Sequence, residues 1–484
     1  MIGPALLLLV AAGGAGADGV PASGLPELPT LTVRADPLPD PLGPLPLATT
    51  VLGRDAVERH PGGDLAALLA PAAGLRVASW GAPGSVALPS IRGSTFEQVL
   101  VLVDGRRRNA AQGGGVDLSG IALESVESVE VVRGGASALW GSDAIGGAIH
   151  VRTREPEAGS ARLRLGTGSF GERSLTASGS AAPADDWAAR ASLRLFSTDG
   201  DYPYVDDARG TESTVENGDV ATASGEVRVE GRSGPARLRL DASLAESERG
   251  VPGSEEFPTP TARLEDGEAS AGLRLEAARP GRWQPVLDLS WRRQERSYRE
   301  PAAAFGPIED THENRRGAAE ARLDRVGDRT VLRLVTGASV DRLDSSTDGR
   351  RRRAAAHARA RGSLDGKIGE RAWRLTAAAR LDAVESFSPF VSPRVGARLA
   401  VSRRATLRAS AGASYRAPSF DELFWPARAT AAGNPDLRAE HGTDADLGLD
   451  LDRLPAAGRF SVDGFVRRVE DLIQWVPGAA GIWR

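Results

Sequence analysis

Leu273-Arg274-Leu275-Glu276-Ala277, followed by Leu287-Asp288-Leu289-Ser290-Trp291, alternates apolar residues with charged or small ones. The same pattern recurs in Leu163-Arg164-Leu165, Val227-Arg228-Val229-Glu230, Leu238-Arg239-Leu240-Asp241-Ala242, Trp373-Arg374-Leu375-Thr376-Ala377, Leu407-Arg408-Ala409-Ser410-Ala411 and Leu447-Gly448-Leu449-Asp450-Leu451. A period of two sends successive side chains to opposite faces of a strand, so each segment has one apolar and one polar face. About fifteen such segments, most of roughly 9 to 15 residues, occupy residues 156–484. A soluble sandwich or solenoid would hide the apolar face in a core. A transmembrane barrel turns it to lipid and the polar face to a wet lumen. Length separates the two, because soluble strands are usually about 5–6 residues and membrane-spanning strands about 9–11. Connections also alternate: Arg232 to Pro235 is a tight turn, whereas Asp199 to Asp219 and Glu246 to Gly267 are long. Short turns at one end and long loops at the other are the habit of outer-membrane barrels. The expectation is an antiparallel transmembrane β-barrel.

Upstream, residues 47–155 read as a compact α/β unit. Asp64 to Leu69 is a short helix start, and Val99-Leu100-Val101-Leu102-Val103 is a continuous apolar run ending at Asp104-Gly105. Such a run predicts a strand buried on both faces and leading into a turn. Val126 to Val132 and Ala148 to Val151 are two further strands, with Gly134, Gly135, Gly141, Gly146 and Gly147 between them. Residues 18–46 form a Pro-rich tether, and Thr30-Leu31-Thr32-Val33-Arg34-Ala35 within it is a short strand suited to the edge of a partner's sheet. Residues 1–17 read as a signal peptide: Pro4 to Ala12 is apolar and Ala15-Gly16-Ala17 fits a cleavage site, although no Lys or Arg precedes the run. No later stretch reaches the roughly 18 apolar residues of a membrane helix.

Composition excludes several chemistries. The 484 residues carry a net charge of -4, without the basic excess that a nucleic-acid partner demands. There is no Cys, hence no disulfide scaffold and no thiolate zinc site. The basic residues are nearly all Arg; Ile368 follows the lone Lys367, so no phosphate-binding GxxxxGK[ST] loop exists. His312-Glu313 lacks the second His of HExxH, and His60, His150, His312, His357 and His441 form no local cluster. No nucleophile, base and orienting group fall into a catalytic arrangement, so the chain does not read as an enzyme.

The run Val129-Glu130-Val131-Val132-Arg133-Gly134-Gly135-Ala136-Ser137-Ala138-Leu139-Trp140-Gly141-Ser142-Asp143-Ala144-Ile145-Gly146-Gly147, with Ile91-Arg92-Gly93 and Val101 to Gly105, resembles the plug domain of the TonB-dependent outer-membrane receptors. It departs at Gly135, where the family usually has Pro, and at Trp140, usually Tyr. Tyr415-Arg416-Ala417-Pro418, Asn434-Pro435-Asp436-Leu437 and Glu440 resemble later barrel strands of the same family. Pro29 to Ala35 resembles the TonB box, with Pro where an acid is usual. The resemblance runs along almost the whole chain. It implies that an N-terminal α/β plug fills a barrel of about 22 strands, and that Thr30 to Ala35 pairs with the TonB energy-transducing complex. About fifteen strands fall roughly seven short of that barrel, so the expectation is an incomplete, C-terminally truncated one.

The resemblance further implies active import of a scarce nutrient across the outer membrane, nearest to the cobalamin receptors through Val99 to Asn109 and Glu470-Asp471-Leu472-Ile473. A ferric-siderophore receptor and a non-functional truncated fragment are the alternatives. Haem uptake fits less well, because no His lies between Tyr415 and Leu437. A transducing receptor would need a folded domain before the box, where only Asp18 to Leu28 stand. Two sites follow. Arg92 and Arg133 of the plug are expected to pair with a wall carboxylate, Asp446, which lies on the polar face opposite Leu447, Leu449 and Leu451. Asp199, Asp201, Asp206, Asp207, Glu216 and Asp219 crowd one outer loop with hard oxygen ligands, and Ca²⁺ is the ion expected there.

Overall fold

In the computed structural model, residues 46–60, 64–157, 159–206, 210–254, 257–278, 281–303, 306–427, 431–454 and 458–476 are described. The expected signal peptide and the tether through residue 45, with Thr30 to Ala35, lie outside them. The N-terminal part supplies strands β1 (Ala48–Leu52), β2 (Leu75–Ser79), β3 (Ala87–Ile91), β4 (Val99–Val103), β5 (Arg106–Arg107), β6 (Val126–Arg133) and β7 (Gly147–Thr153), with helices α1 (Arg54–Glu58), α2 (Leu65–Leu69) and α3 (Ser137–Trp140). Five of the strands form a sheet in the order β1-β6-β7-β4-β5, in which β4 and β7 run parallel. The unbroken apolar run of β4 follows from cover on both faces. Val99 and Val101 pack among Leu65, Leu68, Leu69 and Val129, while Leu100 and Leu102 pack against Ala136, Ala144 and Ala148. Each such side chain contributes about 1.5–3 kcal/mol on full burial. Asn109 seals the edge of β4: its amide accepts from Val101 N at 2.9 Å and donates to the carbonyls of Val99 and Gly114. Asp64 caps α2 by accepting from Ala67 N at 2.8 Å.

The wall begins with β8 (Ser160–Thr167), β9 (Arg173–Ala184) and β10 (Trp187–Thr198). The next connection holds a small hairpin, β11 (Pro203–Asp206) and β12 (Thr211–Thr214). The wall then continues through β13 (Val220–Ser233), β14 (Ala236–Gly250), β15 (Arg263–Ala277), β16 (Trp283–Glu300), β17 (Ile308–Val326) and β18 (Thr330–Ser345). It finishes with β19 (Gly349–Ile368), β20 (Arg371–Val384), β21 (Phe390–Ala400), β22 (Ala405–Arg416), a short helix α4 (Phe420–Phe424), β23 (Glu440–Leu454) and β24 (Gly458–Glu470). Fifteen of these strands make one antiparallel sheet in chain order from β8 to β24, and among the described residues its two outermost strands do not pair with each other. No described helix is long and apolar enough to cross a membrane.

The burial of this sheet is inverted relative to a soluble protein. On β14, Leu240 is 46% and Leu244 65% exposed, whereas Arg239 and Asp241 between and beside them point inward to the plug. Leu163, Leu165, Leu447 and Val466 lie open on the outer face, while Arg228, Arg394 and Arg416 are each 1% exposed. Soluble proteins rarely leave so large an apolar face open; a lipid-facing wall does so by design. The strands also run longer than their apolar stretches. The loop expected over Glu246 to Gly267 shrinks to the residues between Gly250 and Arg263, because Ser247, Glu248 and Arg249 continue the ladder opposite Asp266, Glu265 and Leu264. Backbone pairing needs no apolar side chain, so these polar strand ends carry no hydropathy signal.

Candidate functional site

The site is the seam between plug and wall, built from tight plug turns presented to charged strand faces. Ile91-Arg92-Gly93 makes such a turn. Arg92 has φ +52° and Gly93 φ +72°, both in the left-handed region. This conformation aims Arg92 out of the plug, where Nη1 donates to Asp446 Oδ1 at 2.5 Å. The two side chains are only 5% and 2% exposed. The Arg92 guanidinium also lies 4.1 Å from the Phe465 ring centre, and Arg467 donates to the Arg92 carbonyl at 3.0 Å. The pair therefore joins β3 to β23 and β24.

Arg133 does not share that carboxylate. Its Nε donates to the Ala73 carbonyl and its Nη2 to Thr50 Oγ1, both at 2.5 Å, so it braces β1 and the segment before β2 inside the plug. The expected pairing of Arg133 with Asp446 is thus corrected. Like charge explains it: Arg92 already holds the carboxylate, and burial, with Arg92 beside it, pushes the Arg133 guanidinium down to about 10.

The following glycines bring the plug backbone onto the wall. A Cβ at Gly134 would stand 2.8 Å from Asp446 Oδ2, and one at Gly135 would collide with Asp444, which Arg394 pins at 2.5 Å. Gly135, the departure from the family's usual Pro, leaves this space to Asp444 and Arg394. Gly135→Ala is expected to lower stability by about 1–3 kcal/mol through overpacking. A thermal melt in detergent checks it, and an unchanged midpoint would remove this account of the glycine.

A second node is Asp104, at φ +51° in the turn after β4. Its carboxylate accepts from Thr153 N at 3.0 Å, from Thr153 Oγ1 at 2.5 Å and from Arg228 Nη2 at 2.6 Å, and it pairs with Arg239 at 2.7 Å. Burial alone would push this carboxyl up. Arg239 and Arg228, with the Thr153 bonds, outweigh burial and hold it well below the usual carboxylate range. Around it, Arg106 grips Asp288 with two nitrogens and also bonds Asp241, Arg108 bonds Glu268, Glu124 meets Arg194 at 3.0 Å, and Asp117 meets Arg249 at 2.8 Å. These contacts run from β10 to β16. Between the plug sheet and the wall lies a cavity of about 740 Å³ lined by Asp104, His150, Arg274, Arg322 and Arg359 among others. Burial, and Arg152 beside it, push His150 down to about 3, so it stays neutral.

The third node is Glu440, 0% exposed, which the sequence marks only through its resemblance to later barrel strands. It accepts from Gln98 Nε2 at 3.1 and 3.2 Å, from Arg416 Nε at 2.5 Å and from Ile473 N at 2.8 Å. Arg416 also grips Glu422 of α4 at 2.8 and 3.0 Å. Ser419 and Glu422 cap α4 reciprocally. Phe420 N and Asp421 N donate to the carbonyls of Ala111 and Gln112, which sets this loop on the plug tip.

The described acids of residues 199–219 do not gather. Asp219 is taken by Arg263 at 2.8 and 2.9 Å, and β11 and β12 zip the middle of the loop into a hairpin. Asp207 and the Asp206 side chain lie outside the described residues. Among those described, no three His, Asp or Glu side chains converge as metal ligands, so four of the six acids expected to hold Ca²⁺, Asp199, Asp201, Glu216 and Asp219, do not come together by themselves.

Residues 42–148 match the model of the TonB-dependent receptor plug domain, and residues 140–482 match that of the TonB-dependent receptor-like β-barrel. The chain is similar to the vitamin B12 transporter BtuB of Vibrio vulnificus (strain CMCP6), with 26% identity over 466 residues that cover 93% of this chain and 72% of that protein. Among solved structures it is similar to the copper transporter OprC, with a TM-score of 0.74 at 19% identity over 94% of this chain and 75% of that one. It is also similar to the siderophore receptor PirA from Acinetobacter baumannii, with a TM-score of 0.71 at 17% identity, covering 88% and 71%. At these identities the structural likeness speaks for the fold. With a plug seated by ion pairs in an outward-apolar wall, and both family models matched in order, this chain belongs to the TonB-dependent receptors.

Proposed function

We propose that this receptor imports cobalamin across the outer membrane, drawing energy through Thr30 to Ala35. The observation that supports cobalamin is the likeness to a vitamin B12 transporter along 93% of the chain. Ferric siderophores are the second reading, favoured by structural neighbours such as PirA and the ferric enterobactin receptor of Pseudomonas aeruginosa. The plug must shift for cargo to pass, and its hold on the wall is mostly polar, with Leu139 and Val132 against Ala378 as a small apolar contact, so it can move without exposing a large apolar surface. Deleting the gene should abolish growth when cobalamin is the limiting nutrient and leave growth on ferric siderophores intact. The reverse result would transfer the assignment to siderophores.

The energy input has its own test. A strand added to a partner's sheet is held by main-chain bonds. Leu31→Pro removes one donor and fixes φ, so uptake should fall at least about tenfold while cargo binding to whole cells persists. Equal loss of binding and uptake would count against docking through this segment.

A further inference from the structure

At the loop end of the wall, two carboxylates meet without a cation. Asp348 closes the turn between β18 and β19 and is 2% exposed. Asp421 sits in the first turn of α4. The two side chains stand within hydrogen-bond range of each other. Yet both oxygens of Asp348 and Oδ1 of Asp421 are buried with no partner among the described residues. Their backbones are fixed. Asp348 N donates to Ser345 Oγ at 2.9 Å, and Ser345 is tied in turn to His312 Nδ1 and Thr347 Oγ1 at 2.9 Å each. Asp421 N donates to the Gln112 carbonyl at 3.0 Å, and α4 is gripped by Arg416 through Glu422. Of the nearby cations, Arg296 pairs with Asp266 at 2.7 Å, Arg353 donates to the Pro418 carbonyl at 2.8 Å, and the Arg351 guanidinium stacks 4.1 Å over the Phe424 ring. Two acids so placed cannot both stay charged unless something positive lies between them.

We propose that Asp348 and Asp421 bind a hard divalent cation, calcium or magnesium, which clasps the α4 loop to the β18–β19 turn above the plug tip. Two carboxylates with water and neutral oxygens completing the shell are a known way of holding such ions, and few protein charges place the affinity near about 10⁻⁴–10⁻³ M. That range matches a site facing the external medium. The ion would fasten three chain segments that come together here: the plug tip at Ala111-Gln112, the loop carrying α4, and a wall turn. This site is separate from residues 199–219 and does not depend on the identity of the cargo.

The test uses the full chain in detergent micelles. In EDTA, Asp348→Asn and Asp421→Asn should each raise the melting midpoint, because each removes repulsion. Millimolar CaCl₂ or MgCl₂ should raise the midpoint of the wild type by several degrees and leave both variants unmoved. Terbium, a luminescent stand-in for calcium, should bind the wild type and be displaced by CaCl₂. Trp425 N donates to the Asp421 carbonyl at 3.0 Å, so Trp425→Phe should cut the tryptophan-sensitised emission by more than half, which keeps the test valid if an Asn variant does not fold. A wild type blind to both cations, a cation response that survives in both Asn variants, or emission unchanged by Trp425→Phe would each overturn the site. A midpoint in EDTA that depends on pH alone, with no cation effect, would mean a shared proton and would overturn it as well.

Discussion

Asp446→Ala is expected to destabilise the seated plug by about 3–5 kcal/mol, the range for stranding one partner of a buried ion pair. The magnitude rests on burial: exposed pairs contribute about 0–1 kcal/mol, but Arg92 and Asp446 are 5% and 2% exposed, and their bond is 2.5 Å long. Arg92 would then be left with the Phe465 ring and with Asp444, a neighbouring carboxylate already held by Arg394. Asp446→Asn should cost less, since it keeps an acceptor for Arg92. The cycle through Arg92→Gln, Asp446→Asn and the double variant isolates the pair, and a coupling of about 0.5–3 kcal/mol is expected for groups in direct contact. Melting midpoints give the energies. Simple additivity of the two single changes would show that the pair carries no coupling.

Asp104→Asn should approach the same size at neutral pH, up to about 3–5 kcal/mol, because one substitution removes the nearest acid of both Arg228 and Arg239 and leaves them Glu226 and Glu230, each at 3.7 Å. Asn is chosen because it tolerates the left-handed backbone at φ +51° and keeps the bonds to Thr153. The pH dependence has a definite sign. Asp104 is held below its ordinary value of about 3.9, so the folded protein binds the proton less readily than the unfolded chain. The contribution is full above about pH 4 and is lost as pH falls from there through the depressed value. Melts of the wild type and Asp104→Asn should therefore run parallel from pH 8 to 5 and converge only below about pH 4. Convergence above pH 5 would contradict the depressed carboxyl.

Much of the fold was legible because its signals are local. Alternation along Leu273 to Ala277 requires nothing distant, and neither does the apolar run Val99 to Val103. The turn at Ile91-Arg92-Gly93 was legible as a motif, and Asp446 as a position on the polar face of β23. Arg133 shows where such reading stops. Its motif predicted a wall partner, but its neighbours Thr50 and Ala73 lie 83 and 60 residues away in sequence and captured it first. Glu440 shows the opposite failure. A single glutamate beside a loop gives no local sign that Gln98, Arg416 and Ile473 will converge on it. The six acids of residues 199–219 suggested a metal site by composition alone, and Arg263, on the next hairpin, claimed Asp219.

The sequence by itself determined which face of each strand meets lipid, since a period of two is set by backbone geometry and is independent of any neighbour. It determined that a small two-faced sheet precedes the wall, because only burial on both sides tolerates Val99 to Val103. Tertiary structure alone decided which charge meets which. A strand says that Arg228, Arg239 and Asp446 all point inward, but the depth and rotation of the plug decide that Asp104 takes the first two and Arg92 the third. That choice is made by the register of fifteen strands and by the close approach of Gly134 and Gly135 to β23, and hydrogen bonds and ion pairs act over about 3 Å, a length on which no sequence pattern is resolved.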